Sequence, residues 1–156
     1  MQEESISRIR ENFGIEERDI RTYSPLTLAF LGDGVYEIIV RSIVVAGRNV
    51  SPSRLHNASA HIVKAESQRQ VARAIEPLLT EEERDILRRG RNAKSYTHAK
   101  NASVSDYRIA TGFEALLGYL YLKGDDERIL FLVKKGLEMT GLFNDKTGDF
   151  EEKNHA

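Results

Sequence analysis

The chain has 156 residues, enough for one domain with a proper core, and carries 23 Lys and Arg against 24 Asp and Glu, a formal net charge of −1. Bulk charge therefore gives no reason to expect nucleic acid, and any basic footprint has to be local. With no cysteine, disulfides and thiolate metal sites are excluded, and the polar, acidic start MQEESISRIRENFG reads as neither a secretory signal nor an organelle transit peptide, so the expected location is the cytoplasm.

Residues 1–23 form a polar N-terminal extension, expected to be partly helical because Ile6, Ile9, Phe13 and Ile15 fall at roughly helical spacing. Ser24-Pro25 is a helix start signal, and residues 26–45, LTLAFLGDGVYEIIVRSIVV, then run nearly unbroken apolar to a stop at Gly47. That run is long enough to span a bilayer, but Asp33, Glu37 and Arg41 inside it argue for a buried helix of a soluble domain, with no membrane contact. A helix apolar on every side is normally buried. Asp33 is therefore expected in the core, where a carboxylate needs a cationic partner, a raised pKa or a metal ion. Gly32 and Gly34 flank it, which suggests that something approaches the backbone closely there. Ala29, Asp33, Glu37 and Arg41 share one stripe, and Glu37 before Arg41 is the favourable order for an ion pair.

Ser51-Pro52 opens a second helix, expected to continue to about Ile75. His56 and His61 within it are five apart, which does not suit a two-histidine zinc helix. Thr80 and Glu83 form a capping box for a third helix, expected to stop at Gly90. From Arg84 to Lys100 the chain carries Arg84, Arg88, Arg89, Arg91, Lys94 and Lys100 against the single acid Asp85, interleaved with Asn92, Ser95, Tyr96, Thr97, His98 and Asn101. This is either a solvated helix end with its loop or a set of phosphate and ribose contacts. GRNAKS lacks the glycine before lysine and the preceding strand of a phosphate loop.

Ser105 or Asp106 is expected to cap the next helix, whose residues 109–122, IATGFEALLGYLYL, hold Glu114 as their only charge. Gly112 and Gly118 flank Glu114, and Gly118 shares its face, which permits close helix contact. If the two apolar helices pack together, Asp33 and Glu114 meet, and a shared cation would relieve their repulsion. Carboxylate ligation without cysteine favours Mg²⁺ or Mn²⁺ over zinc. Asp125-Asp126 begins a last helix to about Met139, and residues 143–156 read as a flexible C-terminal tail. The fold class is all-α, with one domain over residues 24–142.

LAFLGDGVYE resembles the ribonuclease III signature ERLEFLGDSVL, and YRIATGFEALLGYLYL resembles that family's second catalytic helix. Together with RGRNAK, these stretches are most similar to mini-ribonuclease III, the short bacterial form without a double-stranded-RNA-binding domain. The likeness covers residues 24–142. It implies an all-helical, two-fold homodimer that cleaves double-stranded RNA with Mg²⁺, or Mn²⁺ in its place, leaving 5′-phosphate and 3′-hydroxyl ends. Asp33 and Glu114 then take the places of catalytic, metal-binding acids. Two further acids of the longer enzymes do not transfer, since Ala29 and Thr111 stand there; Thr111 is a candidate to hold a metal-bound water and Glu37 a candidate beyond the direct ligands. The RNA grip falls to Arg88, Arg89, Arg91, Lys94 and Lys100, reading duplex shape across the minor groove. Phe30 matches an aromatic inserted across the dimer, although an ordinary core phenylalanine reads the same way. By the same resemblance the substrate is precursor 23S ribosomal RNA, presented in one version by a ribosomal protein. Two rival readings are a non-cleaving double-stranded-RNA-binding homodimer and a helical scaffold whose core acids pair with Arg41 or another base.

Overall fold

The computed structural model describes residues 4–46, 49–94, 103–144 and 149–150. The expected stop at Gly47, and Ser95, Tyr96, Thr97, His98, Lys100 and Asn101 of the basic stretch, lie outside the described residues. Among those described, the chain is a helical bundle of α1 (Ser5–Phe13), α2 (Pro25–Ala46), α3 (Pro52–Val63), α4 (Ala65–Ile75), α5 (Glu81–Asn92), α6 (Val104–Leu122) and α7 (Asp126–Met139). None of these helices is long and apolar enough to cross a membrane.

Helix α6 is the axis of the bundle, with α2, α4 and α5 packed around it. Its apolar residues face inward on nearly every side, from Ile109 and Phe113 to Leu116, Leu117 and Leu120. Tyr36 of α2 meets Phe113 edge to face, with ring centroids 5.3 Å apart, and Leu132 and Leu137 of α7 close the core from another side. At the start of α5, Thr80 and Glu83 make the expected capping box, and Glu83 is also gripped by Arg128 of α7 at 2.8 and 2.9 Å. That pair is nearly buried on the Glu83 side and holds its carboxyl below the usual range.

The structure corrects the sequence reading at four places. The helix expected over residues 51–75 is two helices, broken at Lys64, whose extended backbone (ψ 155°) separates α3 from α4. The break leaves helix-terminal carbonyls to be satisfied, and side chains do this. Ser67 Oγ donates to the His61 carbonyl at 2.6 Å, Tyr36 to that of Ile62 at 3.2 Å, and Gln68 Nε2 to that of Val63 at 2.8 Å. Gly90 does not stop α5, which continues to Asn92; a Cβ at Gly90 would press on Gly112 Cα at 2.8 Å, so glycine serves the α5–α6 contact instead. Ser103, rather than Ser105 or Asp106, caps α6 by accepting from the Asp106 amide at 3.0 Å.

The fourth correction concerns α2. It is not buried on every side: Leu26, Phe30, Ile38 and Val45 are exposed along one face. Beyond α7, Phe143–Asn144 and Asp149–Phe150 pair as short antiparallel strands β1 and β2. Their Phe143 and Phe150 rings meet edge to face at 5.8 Å, and Phe150 is buried. No periodicity in residues 143–156 announces that hairpin.

Candidate active site

Helices α2 and α6 cross at a pair of glycines. A Cβ at Gly32 would overlap the Glu114 carbonyl, and one at Gly118 the Leu28 carbonyl, so the two backbones touch with no side chain between them. Asp33 follows Gly32 directly, and Glu114 lies one turn before Gly118 on the same face of α6. The crossing thus delivers both carboxyl groups to one point. Asp33 is exposed there, contrary to its expected burial, and Glu114 is half-buried. The cost of burial falls on Glu114. Its carboxyl is pushed up to about 9 from the ordinary 4.5, by burial first, then by a hydrogen bond to Asp33 and the Asp33 charge, with Glu37 adding to the repulsion. The Gln68 amide works in the opposite sense by hydrogen-bonding the charged form.

Glu37, one turn beyond Asp33, is half-buried and accepts from Arg41 Nε at 3.0 Å, the ion pair that its spacing predicts. Buried Tyr36 sits between the site and the α3–α4 break; its hydroxyl is held neutral by burial first and then by the nearby charges of Glu114 and Glu37.

Two facing carboxyl groups, one of which keeps a proton because it is buried and because its neighbour bonds to it and repels its charge, form a natural seat for a hard divalent cation. Such an ion would take the proton's place, and an all-oxygen donor set fits Mg²⁺ or Mn²⁺. Among the described residues no group of three or more His, Cys, Asp or Glu side chains converges to hold a metal. The donors fit an ion that keeps several positions for water and substrate oxygens, as Mg²⁺ does. Ala29 is buried and adds no ligand. Thr111 is also buried, and its hydroxyl donates to the Tyr107 carbonyl at 2.9 Å, leaving only its oxygen lone pairs for another partner.

Residues 26–125 match the family profile described as Ribonuclease III domain. The chain is 44% identical over 138 residues to the mini-ribonuclease 3 of Thermoanaerobacter sp., covering 88% of this chain and 97% of that protein. It is 49% identical over 118 residues to that of Brevibacillus brevis, with 76% and 88% covered. The chain belongs to the mini-ribonuclease III branch of the ribonuclease III family. It is an endoribonuclease. A crystal structure of a protein from Fusobacterium nucleatum superposes with a TM-score of 0.68 at 33% identity, over 75% of this chain and 95% of that one.

Within this mini-ribonuclease III the basic residues divide. Gly112, whose Cβ would strike the Leu87 carbonyl of α5, is two residues from Glu114, about 200° around α6. The basic end of α5 therefore rests on the side of α6 away from the Asp33 contact. Arg88 pairs with Asp85, whereas Arg89, Arg91 and Lys94 are exposed, and Lys100 lies outside the described residues. Phe30 is no core residue, being 84% exposed.

Sequence reasoning missed Gln68, which touches Glu114. A signal for it exists: Gln68 stands three before Val71, four before Ala72 and seven before Ile75, a polar residue on an otherwise apolar stripe.

Proposed function

We propose that this endoribonuclease cuts double-stranded RNA in a Mg²⁺-dependent reaction and works as a two-fold homodimer in the cytoplasm. We assign it to maturing the ends of precursor 23S ribosomal RNA, with a ribosomal protein presenting the duplex. The observation that carries this reading is the convergence of Asp33 and Glu114 at the glycine crossing of α2 and α6.

Asp33 and Glu114 would hold the ion. Asp33, open to solvent, offers its oxygens where a phosphodiester can approach; Glu114 is set back and anchored from α4 by Gln68. Arg41 pairs with Glu37, which leaves Asp33 and Glu114 as the carboxyl groups at the crossing without a basic partner. Bound there, a divalent ion would supply a Lewis acid that polarises a phosphate oxygen and makes an attacking water more acidic, the cut leaving a 5′-phosphate and a 3′-hydroxyl. Thr111 and Glu37 are assigned to waters around the ligands.

The exposed apolar face of α2 supports the dimer. Contiguous exposed apolar surface marks interfaces, and a two-fold axis makes one patch serve both copies. Among the described residues, nothing beyond its own stretch of helix lies within 4 Å of a Cβ built at Gly34, on that same face. A mid-helix glycine costs roughly 1 kcal/mol, and a partner helix approaching there accounts for it. Two sites across one duplex would then cut both strands. Exposed Arg89, Arg91 and Lys94 supply phosphate contacts.

A long RNA duplex incubated with the protein tests the reading. Discrete double-strand cuts with Mg²⁺, lost in EDTA and in Glu114→Gln, are expected; binding without cleavage at every Mg²⁺ and Mn²⁺ concentration would overturn it. Extended 23S ends in cells lacking the protein test the assignment of substrate.

A further inference from the structure

Gln68 is only 4% exposed, yet it is polar and lies on the inner face of α4. Its amide orientation is set by the Val63 carbonyl, an acceptor to which only the nitrogen can donate, at 2.8 Å. That fixes the position of Oε1, which is buried with no hydrogen-bond partner among the described residues. A buried amide oxygen left unpaired costs about 1–3 kcal/mol, so its retention calls for a donor. The amide nitrogen of the same side chain hydrogen-bonds the charged form of the Glu114 carboxyl, which puts Gln68 at the site. The platform is rigid: Arg69, the next residue, pairs with Asp106 at 2.6 Å and ties α4 to the first turn of α6. Gly136 of α7 packs so closely on α4 that a Cβ there would press on Ile75 Cγ2 at 3.0 Å.

The geometry points to Gln68 as a positioning residue of the site: held by the Val63 carbonyl, its amide keeps the Glu114 carboxylate aimed at Asp33. This rests on the metal-dependent reading above and deepens it. The role is outer support of a ligand, and losing such a partner typically weakens metal binding 10–100-fold. It also joins two features, because the side chain that caps the α3–α4 break is the one that steadies Glu114.

The test uses Mn²⁺ alone, followed by water-proton relaxation on the full chain, with thermal melts alongside. Gln68→Met keeps the length and removes both polar atoms; Gln68→Asn keeps an amide drawn back by one methylene and is the variant that spares the fold. Ser67→Ala removes the cap from the neighbouring His61 carbonyl and serves as the structural control. Expected are a Mn²⁺ affinity 10–100-fold weaker in Gln68→Met, a smaller loss in Gln68→Asn, and no change in Ser67→Ala despite its lower Tm. Duplex cleavage by Gln68→Met should recover at saturating Mn²⁺, so that the metal requirement moves more than kcat. Wild-type affinity in both Gln68 variants would overturn the assignment, as would equal losses in Ser67→Ala. No Mn²⁺ binding by the wild-type protein would instead overturn the metal reading itself, and this inference with it.

Discussion

Gly32 and Gly118 meet backbone to backbone where α2 crosses α6, each occupying space that a Cβ on the other helix would need. Substituting Ala improves helix propensity by up to about 1 kcal/mol, but here it must push two backbones apart. Overpacking of this kind costs about 1–3 kcal/mol and more where no side chain can yield. Gly118→Ala is expected to lower stability by about 3 kcal/mol in urea melts. Because the same crossing sets the distance between Asp33 and Glu114, cleavage should fall by roughly 100-fold even where the variant is fully folded.

Glu114 makes metal-free stability depend on pH. Its carboxyl titrates at about 9 in the fold against 4.5 in an ordinary setting. Between those values the folded chain holds a proton that the unfolded chain has released. Stability therefore falls as pH rises through that window, and levels above it. Urea melts in EDTA should show the decline in the wild-type protein and its loss in Glu114→Gln. A divalent ion must displace this proton, so Mn²⁺ affinity should rise with pH toward the same limit, by roughly tenfold per unit for a one-proton exchange.

What could be read from the sequence was what local chemistry decides. Lone acids beside glycines in apolar helices marked Asp33 and Glu114, four-residue spacing gave Glu37–Arg41, and the Thr80–Glu83 box needs only its own turn. The misreadings came from partners distant in sequence. Gly90 looks like a stop until Gly112 is seen against it. The break at Lys64 is satisfied partly by Tyr36, 26 residues before the carbonyl it caps. The apolar face of α2 has the hydropathy of a core surface, and hydropathy does not distinguish a neighbouring helix from a second molecule. The same ambiguity makes the sequence set Asp33 deeper than the structure has it.

The basic residues of α5 should not contribute equally to RNA binding. Arg88 is paired with Asp85, while exposed Arg89 and Lys94 have no ion-pair partner among the described residues. Ala at Arg89 and Lys94 together is expected to weaken duplex binding and flatten its log–log salt dependence by about one unit per lost phosphate contact. Arg88→Ala should change both much less. Filter binding across a salt series separates these outcomes, and unchanged affinity in the double variant would move the RNA surface elsewhere.

Phe30 offers a direct reading of assembly. At 84% exposure in the protomer, with Ile38 at 62% on the same face, it contributes little to the core of a single chain. Phe30→Asp should therefore leave the protomer's fold intact by circular dichroism. In a two-fold dimer the same change places a desolvated charge at a self-complementary contact, twice per interface. The mass measured by light scattering should then halve, and a duplex substrate should be nicked in one strand where the wild-type protein cuts both. If the mass stays that of the wild-type protein, the α2 face is not where the copies meet.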